Sequence, residues 1–572
     1  MNNTEIAEIL DRMAAMLEFK GENPFKIRAY EKASRNIKGL DENLGDLYRQ
    51  DRISEIPGVG EALQDKLKEI LDTGTFKAYE ETVAEVPGGI FEIMDIPGIG
   101  PKTAQLLYEK LDIESVDELL KAAQEHRIRR LSRMGQKQEE RILRSVRRYL
   151  ENSDRGRTSL PVASPIVEQI REQLNTCTCI KDVIAAGSVR RRKETVKDID
   201  LIALSDNPAG AMNAFMSLEN VTEVLEEGNS LSSIIYGGII RVDLRIVPEN
   251  SLGSMLQHFT GSKEHNVRLR KLALEKGYSL NEYGFTDVGT HLLKKCATEE
   301  EIYDFLGLEY PVPELREDKG EIEAGMENKL PKLIEAKDIK GDLHVHSNWS
   351  DGKNSIEELA ATALERGYEY IAITDHSHST SIAGGLSERK LLEHARDVER
   401  INEKLEGIRL ISGTECDIRS NGKLDYSNEV LNKLDIVVAS VHANLEQDRK
   451  TMTKRIVAAL ENEHLDILAH PTGRKFGKRA AYDVDMEKVL QTAHDNGKML
   501  EINSSRLDLN DIHARMAKKA GVRLAISTDT HTLNNFDDIA YGIDVARRAW
   551  IEPQDVVNTR NLKYISSILG IQ

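Results

Sequence analysis

Histidine placement limits the folds open to this chain more than any other pattern in it. Eleven of the fifteen histidines lie between His344 and His531. In that region short apolar runs, such as YIAITDH and AISTDTH, alternate with helical patterns, which indicates parallel strands joined by helices. Because β/α barrels gather the carboxyl ends of their strands at one face, side chains that follow these runs are expected to meet there.

Metal-ligand side chains stand at or beside almost every predicted strand end. They are His344, His346, Asp351, His376, Glu415, His442, His470, Asp529 and His531. His344 and His346 are two residues apart, so a strand places both on one face. Mixed imidazole and carboxylate ligands suit Mn²⁺ or Zn²⁺, and such ions lower the pKa of a bound water. The pattern therefore predicts a metal centre that hydrolyses phosphoesters.

A second site is predicted in VIAAGSVRRRKETVKDIDLIAL, residues 183–204. Asp198 and Asp200 alternate along a strand, so both face one side and can hold Mg²⁺. Asp243, in the later strand IIRVDLRIV, supplies the third carboxylate of a two-metal site for in-line displacement. The residues predicted to contact a triphosphate are Gly187, Ser188 and Arg191.

Two helical hairpins repeat in the first 150 residues, IPGVGEALQDKL at 56–67 and IPGIGPKTAQLL at 96–107. Exposed amides at such a turn, together with the following helix dipole, can face a DNA phosphate. The predicted phosphate contacts are Gly58, Gly60, Gly98 and Gly100. A degraded third copy spans 131–143, where Ser132 or Arg133 replaces the first glycine.

Charge and composition are compatible with a DNA-binding enzyme. The net charge is −18, but residues 127–148 hold eight arginines and one lysine against two glutamates, and local stripes decide nucleic-acid binding. Four scattered cysteines make no disulfide framework, and Cys177 with Cys179 lacks the partners of a zinc site. No apolar run is long enough for a membrane span, and the first residues form an amphipathic helical pattern rather than a signal peptide.

The length favours a multidomain chain of mixed α+β and α/β class. We expect a helical domain at 1–85, a second helical domain at 86–158, and a nucleotidyl-transfer domain with a mixed sheet at 159–249. A smaller subdomain at 250–316 and a charged linker at 317–335 would follow. The last domain would be the metal phosphoesterase at 336–572.

Residues 1–316 resemble the family X DNA polymerases, the DNA polymerase β group. The resemblance lies in GSVRRRKETVKDID, RVDLRIVP, LQHFTGSKEHNVRLR and LEKGYSLNEYG. It implies that 1–85 is a lyase-like domain, 159–249 a nucleotidyltransferase palm and 250–316 a nucleotide-selection subdomain. It also implies that Asp198, Asp200 and Asp243 are the catalytic metal ligands. Residues around the incoming nucleotide and template would be His258, Phe259, Gly261, Asn266 and Arg270. His258 replaces the tyrosine that helps to exclude a ribose 2′-hydroxyl, which is a departure from the family pattern.

The same resemblance extends to the first domain, whose family counterpart binds a 5′-phosphate at gaps. Lys26 and Tyr30 match phosphate-binding positions, and Lys66 matches the amine that attacks an abasic sugar in a lyase reaction. Arg245 and Glu282 fall where the family has an ion network that responds to domain closure.

Residues 338–572 resemble the PHP domain, a family of polymerase-associated and phosphatase domains. The resemblance implies a distorted (β/α)7 barrel with about three Mn²⁺ or Zn²⁺ ions on the nine ligands named above. PHP domains behind family X polymerases are a bacterial and archaeal arrangement, with a manganese-stimulated 3′–5′ exonuclease. AP endonuclease and 3′-phosphatase activities are variants of the same chemistry.

The combined expectation is a cytoplasmic, nucleoid-associated repair polymerase that fills short gaps in nicked or gapped DNA with dNTPs. It would act as a monomer, with two Mg²⁺ ions at the palm and no membrane contact. Two alternatives remain open: a nucleotidyltransferase acting on a small molecule or an RNA end, and a non-catalytic DNA-end scaffold. Template-dependent extension of a gapped duplex would separate the first from a polymerase, and intact metal ligands at both sites argue against the second.

Overall fold

A computed structural model describes residues 3–38, 40, 44–50, 52–94, 96, 98–131, 134–155 and 157–571. The described residues up to 155 form helices and short connections, and two apolar clusters hold them together, one around Leu10 and Leu67 and one around Ile96 and Leu107. The helices here are α1 (Asn3–Phe19), α2 (Pro24–Lys38), α3 (Leu44–Arg49), α4 (Glu61–Thr73), α5 (Lys77–Ala84), α6 (Gly88–Met94), α7 (Pro101–Leu111), α8 (Val116–Gln124) and α9 (Gln136–Arg155).

A five-stranded mixed sheet follows, which confirms the predicted palm architecture. Its order is β2-β4-β7-β6-β5, with β4 and β7 parallel and the other neighbours antiparallel. The strands of this region are β1 (Thr158–Ser159), β2 (Asp182–Ala185), β3 (Thr195–Val196), β4 (Asp198–Leu204), β5 (Val221–Glu226), β6 (Leu231–Tyr236) and β7 (Ile240–Val247). Its helices are α10 (Leu160–Leu174), α11 (Gly187–Arg190) and α12 (Pro208–Met216).

A small helical subdomain with a three-stranded antiparallel sheet continues the chain. Leu269, Phe285 and Tyr303 are fully buried in its core. Its elements are α13 (Leu252–Thr260), α14 (Lys263–Glu275), β8 (Tyr278–Asn281), β9 (Gly284–Asp287), β10 (Leu293–Lys294) and α15 (Glu299–Leu306).

The last 230 or so residues form a seven-stranded, all-parallel barrel, as predicted, with its strands in chain order. An isolated parallel bridge between Val345 and Thr530 brings the first and last strands together. The strands are β11 (Gly341–Val345), β12 (Tyr370–Ile373), β13 (Arg409–Asp417), β14 (Ile436–Ser440), β15 (Ile467–Leu468), β16 (Met499–Asn503) and β17 (Leu524–Ser527). The helices are α17 (Ile356–Glu365), α18 (Glu388–Asn402), α19 (Asn428–Leu431), α20 (Arg449–Leu460), α21 (Met486–Asp495), α22 (Asp511–Lys519), α23 (Ile539–Arg548) and α24 (Leu562–Leu569).

The segment at 317–335 is packed rather than a free linker, which corrects the sequence-based expectation. It contains α16 (Glu321–Met326), and Glu321 is fully buried with its carboxylate 2.6 Å from His265 Nδ1. Glu317 lies between Arg191 of the palm and Arg548 of the barrel, at 2.9 Å and 3.1 Å. Charged composition was a poor guide because the partners of these acids lie far away in sequence.

Two further observations concern the cysteines and the helices. Cys177 and Cys179 form a disulfide within a single turn of the palm, which the sequence analysis did not predict. Among the described residues, no helix combines the length and apolar character that a membrane span requires.

Candidate active sites

The three palm carboxylates lie on two neighbouring inner strands of the mixed sheet, β4 and β7. β4 and β7 pair in parallel so that Asp200 lies directly opposite Asp243, and Asp198 is two residues before Asp200 on the same face. Asp243 is buried and Asp198 and Asp200 are partly exposed. The structure therefore brings together the three residues that the spacing of the sequence predicted.

Two arginines partly balance this acidic cluster. Arg241 donates hydrogen bonds to both carboxylate oxygens of Asp243, at 2.7 Å and 3.0 Å, and Arg245 donates to Asp200 Oδ1 at 3.3 Å. Burial raises the pKa of Asp200 to about 6, against the lowering effect of Arg245, and Asp198 and Asp243 add to the rise. Three carboxylates on one face of neighbouring strands would favour a divalent cation beside them, because a cation reduces their mutual repulsion.

Position 187 requires glycine, because any side chain there would collide with Asp200. Its φ is +59°, and a Cβ there would lie 2.2 Å from Asp200 Oδ2. Gly187 also begins the short helix α11, and Ser188 is the second residue of that helix. A glycine at this position thus lets the predicted triphosphate-binding turn approach the metal ligands.

The predicted nucleotide pocket is assembled by hydrogen bonds of Asn266. Its amide donates to the carbonyl of His258 at 2.6 Å and accepts from Gln257 at 2.7 Å. A Cβ on Gly261 would lie 2.4 Å from Asn266 Oδ1, so this turn also requires glycine. Phe259 stacks under Arg245, whose guanidinium carbon is 3.9 Å from the ring centroid.

His258 and Arg270 border this pocket on opposite sides. Burial lowers the pKa of His258 to about 4 despite Glu282, whose carboxylate is 3.9 Å away. Arg270 lies against Gly74 of the first domain, where a Cβ would meet its guanidinium at 2.7 Å. Of the expected ion network, Arg245 contacts Asp200 whereas Glu282 faces His258.

Arg191 makes structural contacts in addition to its predicted role. Its guanidinium donates to Glu317 at 2.9 Å and to the carbonyl of Thr260 at 2.8 Å. Its own carbonyl accepts from Arg548 of the barrel at 2.8 Å. Arg191 is therefore held by the connecting segment and the barrel, and a triphosphate contact by this residue stays a prediction.

The barrel collects the predicted metal ligands into three adjoining groups. In each, the ligand atoms lie within 4.8 Å of one another: His346, Asp351, His376 and His531; His344, His346 and Asp529; and His376, Glu415 and His442. His470, the ninth predicted ligand, has Nε2 2.8 Å from Glu415 Oε1. All nine side chains thus meet at the carboxyl ends of the strands.

The donor set fits divalent cations. His346 Nδ1, His470 Nδ1 and Glu415 Oε2 are buried and have no hydrogen-bond partner among the described residues, which is costly for polar atoms unless a metal or water binds them. Burial raises the pKa of Glu415 and Asp529, but histidines, and Arg506 beside Asp529, outweigh it and hold both well below the usual range. The cluster therefore presents ionised oxygens and imidazole nitrogens to a buried space.

Several supporting residues of this centre were missed by sequence reasoning. Glu501, fully buried on β16, lies 2.7 Å from His344 Nδ1, and Asp417 lies 3.0 Å from His442 Nδ1. Arg506 donates to Asp529 Oδ2 at 2.7 Å. Carboxylates that orient ligand imidazoles are typical of metal sites. A glutamate inside the apolar run KMLEIN was the available signal for Glu501.

The two N-terminal helical domains contain the two predicted turns in the expected conformation. Gly58 and Gly98 have φ of +79° and +93°, and Gly60 and Gly100 stand immediately before α4 and α7 as their N-caps. In the degraded third copy α9 begins after Gly135, but Ser132 and Arg133 fall outside the described residues. A Cβ added to Gly60 or Gly100 would meet no atom within 4 Å, so there is open space beside the start of α4 and α7.

The predicted lyase residues are adjacent but differently exposed. Lys66 Nζ donates to the Tyr30 hydroxyl at 2.8 Å and lies 5.2 Å from the Tyr30 ring centroid. Tyr30 is buried, whereas Lys26 is exposed and 3.8 Å from Glu22. The structure thus pairs Lys66 with Tyr30 and leaves the lyase chemistry itself as a prediction.

Known protein families match four parts of the chain. A helix-hairpin-helix domain matches residues 1–76 and a SAM-like helix-hairpin-helix tandem matches 91–148. The DNA polymerase beta thumb matches 255–317, and the PHP domain matches 342–505.

Similar proteins include one that matches over the full length. The DNA polymerase/3′-5′ exonuclease PolX of Bacillus subtilis (strain 168) is 37% identical over 573 residues, covering 100% of this chain and 99% of that protein. Probable phosphatases match over about a third of the chain: that of Thermoanaerobacter sp. (strain X514) is 32% identical, covering 38% of this chain and 89% of its own. That of Shewanella loihica is 29% identical, covering 34% and 81%. Full-length similarity, with a polymerase thumb and a PHP domain in one chain, shows that the protein belongs to the PolX family, the family X DNA polymerases with a C-terminal PHP domain.

Proposed function

We propose that this repair polymerase adds dNTPs to the 3′ end at a gap with its palm and removes 3′ nucleotides with its barrel. The observation that carries the proposal is that one chain has two chemically different groups of candidate metal ligands. The palm offers three carboxylates, and the barrel offers a histidine-rich set of nine ligands. Membership of the PolX family supports both activities.

At the palm, Asp198, Asp200 and Asp243 would hold two Mg²⁺ ions that stabilise the attacking and leaving oxygens of an in-line displacement. The turn at Gly187 and Ser188 would bind the triphosphate through backbone amides and a hydroxyl. Asn266 positions the 258–261 turn against which the incoming sugar would rest. His258 replaces the family's tyrosine beside that sugar, so its ring is proposed to set discrimination against ribonucleotides.

At the barrel, the nine ligands would hold about three Mn²⁺ or Zn²⁺ ions, which supply a nucleophilic water and polarise a phosphoryl oxygen. Glu501 and Asp417 orient His344 and His442 for this role. The chain's partial similarity to probable phosphatases supports phosphomonoester hydrolysis at a blocked 3′ end as a second reaction of the same centre. AP endonuclease activity is proposed on the same chemistry.

In the first domain, we propose that Lys66 is the amine of a deoxyribose phosphate lyase. Its position beside Tyr30 near the first hairpin turn supports this. Borohydride would trap the wild-type protein on an abasic-site oligonucleotide, and the Lys66→Ala variant would give no adduct. If the wild type formed no adduct, the lyase proposal would be wrong.

The proposal is tested by incubating the wild type with a primed single-nucleotide gap and labelled primer, in Mg²⁺ or Mn²⁺. We expect template-matched extension with dNTPs, and shortening of the primer from its 3′ end in Mn²⁺ without dNTPs. Untemplated transfer to an RNA end or a small molecule would instead favour the other nucleotidyltransferase function. If the protein neither extended nor shortened the primer, only the non-catalytic DNA-end scaffold would remain as an interpretation.

A further inference from the structure

A cationic hairpin connects the two halves of the molecule beside the barrel metal cluster. The hairpin at residues 474–479, RKFGKR, follows the ligand His470 by four residues and closes with a bridge between Lys475 and Arg479. It carries four cations and no acid. Its placement differs from an ordinary surface turn in three ways, which concern its base, its attachment to the palm and its unpaired charges.

The base of the hairpin is fixed. Asp508 accepts from the backbone N–H groups of Thr472 and Arg474, at 3.2 Å and 2.9 Å, and from the Thr472 hydroxyl at 2.7 Å. A Cβ on Gly473 would lie 2.3 Å from the ring of Tyr482, whose hydroxyl donates to the Pro471 carbonyl. These contacts hold the hairpin in one position relative to His470.

One cation attaches the hairpin to the palm. Arg474 makes a bidentate pair with Glu194, at 2.8 Å and 3.0 Å, and Glu194 lies just after the 187–193 turn of the polymerase site. On its other side, the Phe476 N–H donates to the carbonyl of Arg506, whose guanidinium contacts the metal-ligand candidate Asp529. The hairpin thus lies between the polymerase turn and the hydrolytic cluster.

The other three cations of the hairpin form no ion pair within the described part of the chain. They are Lys475, Lys478 and Arg479, and Lys475 and Lys478 are exposed. Arg479 Nη2 is buried and has no hydrogen-bond partner there. Partial burial lowers the pKa of Lys475, the charges of Arg506, Lys478 and Arg479 lower it further, and the opposing effect of Asp529 does not outweigh them. Cations that crowd together on a protein of net charge −18 favour an anionic ligand.

We propose that Lys475, Lys478 and Arg479 bind the phosphodiester backbone of the single DNA strand whose 3′ end enters the barrel cluster. The ligand is a polyanion rather than one phosphate, because the hairpin offers three cations and a partly buried aromatic ring, more than a single phosphate would engage. Phe476, partly buried between them, gives an apolar contact for a base or sugar. The hairpin would therefore make the centre prefer strands over small phosphoesters. This inference rests on the proposed exonuclease.

The test compares two substrates and two charge-matched variants of the full chain. One variant is Lys475→Ser with Lys478→Ser, and its control is Lys404→Ser with Lys433→Ser, two exposed lysines near the starts of other barrel strands. The substrates are a single-stranded oligonucleotide and the p-nitrophenyl ester of thymidine 5′-monophosphate, which has one phosphodiester. Values of kcat/KM are measured in Mn²⁺ over a range of salt.

We expect the hairpin variant to lose on the order of tenfold or more in kcat/KM on the oligonucleotide at low salt, and its salt slope to fall by about 1.4. Hydrolysis of the thymidine ester should stay at the wild-type rate, and the control variant should match the wild type on both substrates. Wild-type kinetics of the hairpin variant on the oligonucleotide would overturn the proposal. An equal loss on both substrates would also overturn it, because it would place the effect in the metal centre.

Photocrosslinking reads the hairpin without hydrolysis. A 4-thiothymidine two nucleotides from the 3′ end should crosslink to residues 474–479, and the adduct should fall in the hairpin variant but not in the control. If the wild type hydrolysed neither substrate yet crosslinked there, the proposed exonuclease would fail and the strand-binding hairpin would stand. If the wild type hydrolysed both substrates but crosslinked only outside the barrel, the proposed exonuclease would stand and the strand-binding hairpin would be overturned.

Discussion

Single residues in both sites are fixed by space and charge as much as by chemical identity. The absence of a side chain at Gly187 and Gly261 leaves room for Asp200 and Asn266. Glu501 lies within hydrogen-bond distance of His344. The spacing of the sequence predicted the metal ligands because alternation along a strand is a local property. Glu501 was missed because its role depends on a strand 157 residues away.

Replacing Gly187 by alanine should abolish most polymerisation. The added Cβ would lie 2.2 Å from Asp200 Oδ2 and would require a φ of +59°, and a displacement of about 1 Å at such a site can cost on the order of 10²-fold in rate. Primer extension should show this loss while exonuclease activity is kept. Gly289→Ala, where a Cβ would have only an ordinary contact at 3.6 Å, is the control. Equal extension by Gly187→Ala and the wild type would refute the close approach.

Replacing Glu501 by glutamine should weaken the barrel metal centre alone. Glu501 is bound to His344 Nδ1, and loss of such a partner typically costs about 10–100-fold in metal affinity. Titration of metal-stripped protein with Mn²⁺ measures this, with primer extension as the control for folding. Unchanged Mn²⁺ affinity would show that Glu501 does not orient a ligand.

At the scale of elements, the fold was predictable wherever sequence periodicity controls local structure. The strands of the barrel and the mixed palm sheet appear as expected, with ligands at the strand ends. The segment at 317–335 was not predictable, because Glu317 and Glu321 bind partners from distant elements. Charge patterning indicates exposure only when the partners are local.

We expect DNA binding to weaken when the first glycines of the two hairpin turns are replaced by a larger residue. Gly58→Val with Gly98→Val would strain residues at φ of +79° and +93° and withdraw amides from phosphate. Loss of hydrogen bonds to a charged group costs roughly 1.5–3 kcal/mol, on the order of tenfold or more in Kd. Anisotropy with gapped DNA measures the change. Gly497→Val, equally strained at φ +65° but in the barrel, should bind as the wild type does, and a similar loss in both variants would assign the defect to misfolding.

At the scale of the whole molecule, ion pairs join palm, connecting segment and barrel. Burial raises the pKa of Glu317, but Arg191, Arg548 and Lys193 outweigh it and lower it to about 2. A carboxyl with a depressed pKa in the folded state contributes stability above its unfolded pKa of about 4.5. That contribution is lost as pH falls through about 2.

Glu317→Gln should therefore destabilise the palm-barrel unit by on the order of 3 kcal/mol at neutral pH, and the difference from the wild type should shrink between pH 5 and pH 2. Calorimetric Tm values across this range measure the effect. Glu335→Gln, an exposed acid of the same segment, should show little difference at any pH. A Glu317→Gln defect that stayed constant down to pH 2 would contradict the ion-pair explanation.

The central claim is that one chain carries two separable metal sites with opposing effects on a 3′ end. The most direct measurement follows a labelled primer at a gap, with dNTPs in Mg²⁺ and without dNTPs in Mn²⁺, for two variants. Asp198→Ala with Asp200→Ala should abolish extension and keep shortening, whereas His344→Ala should keep extension and abolish shortening. Loss of both activities in each variant, or of neither, would contradict two independent sites.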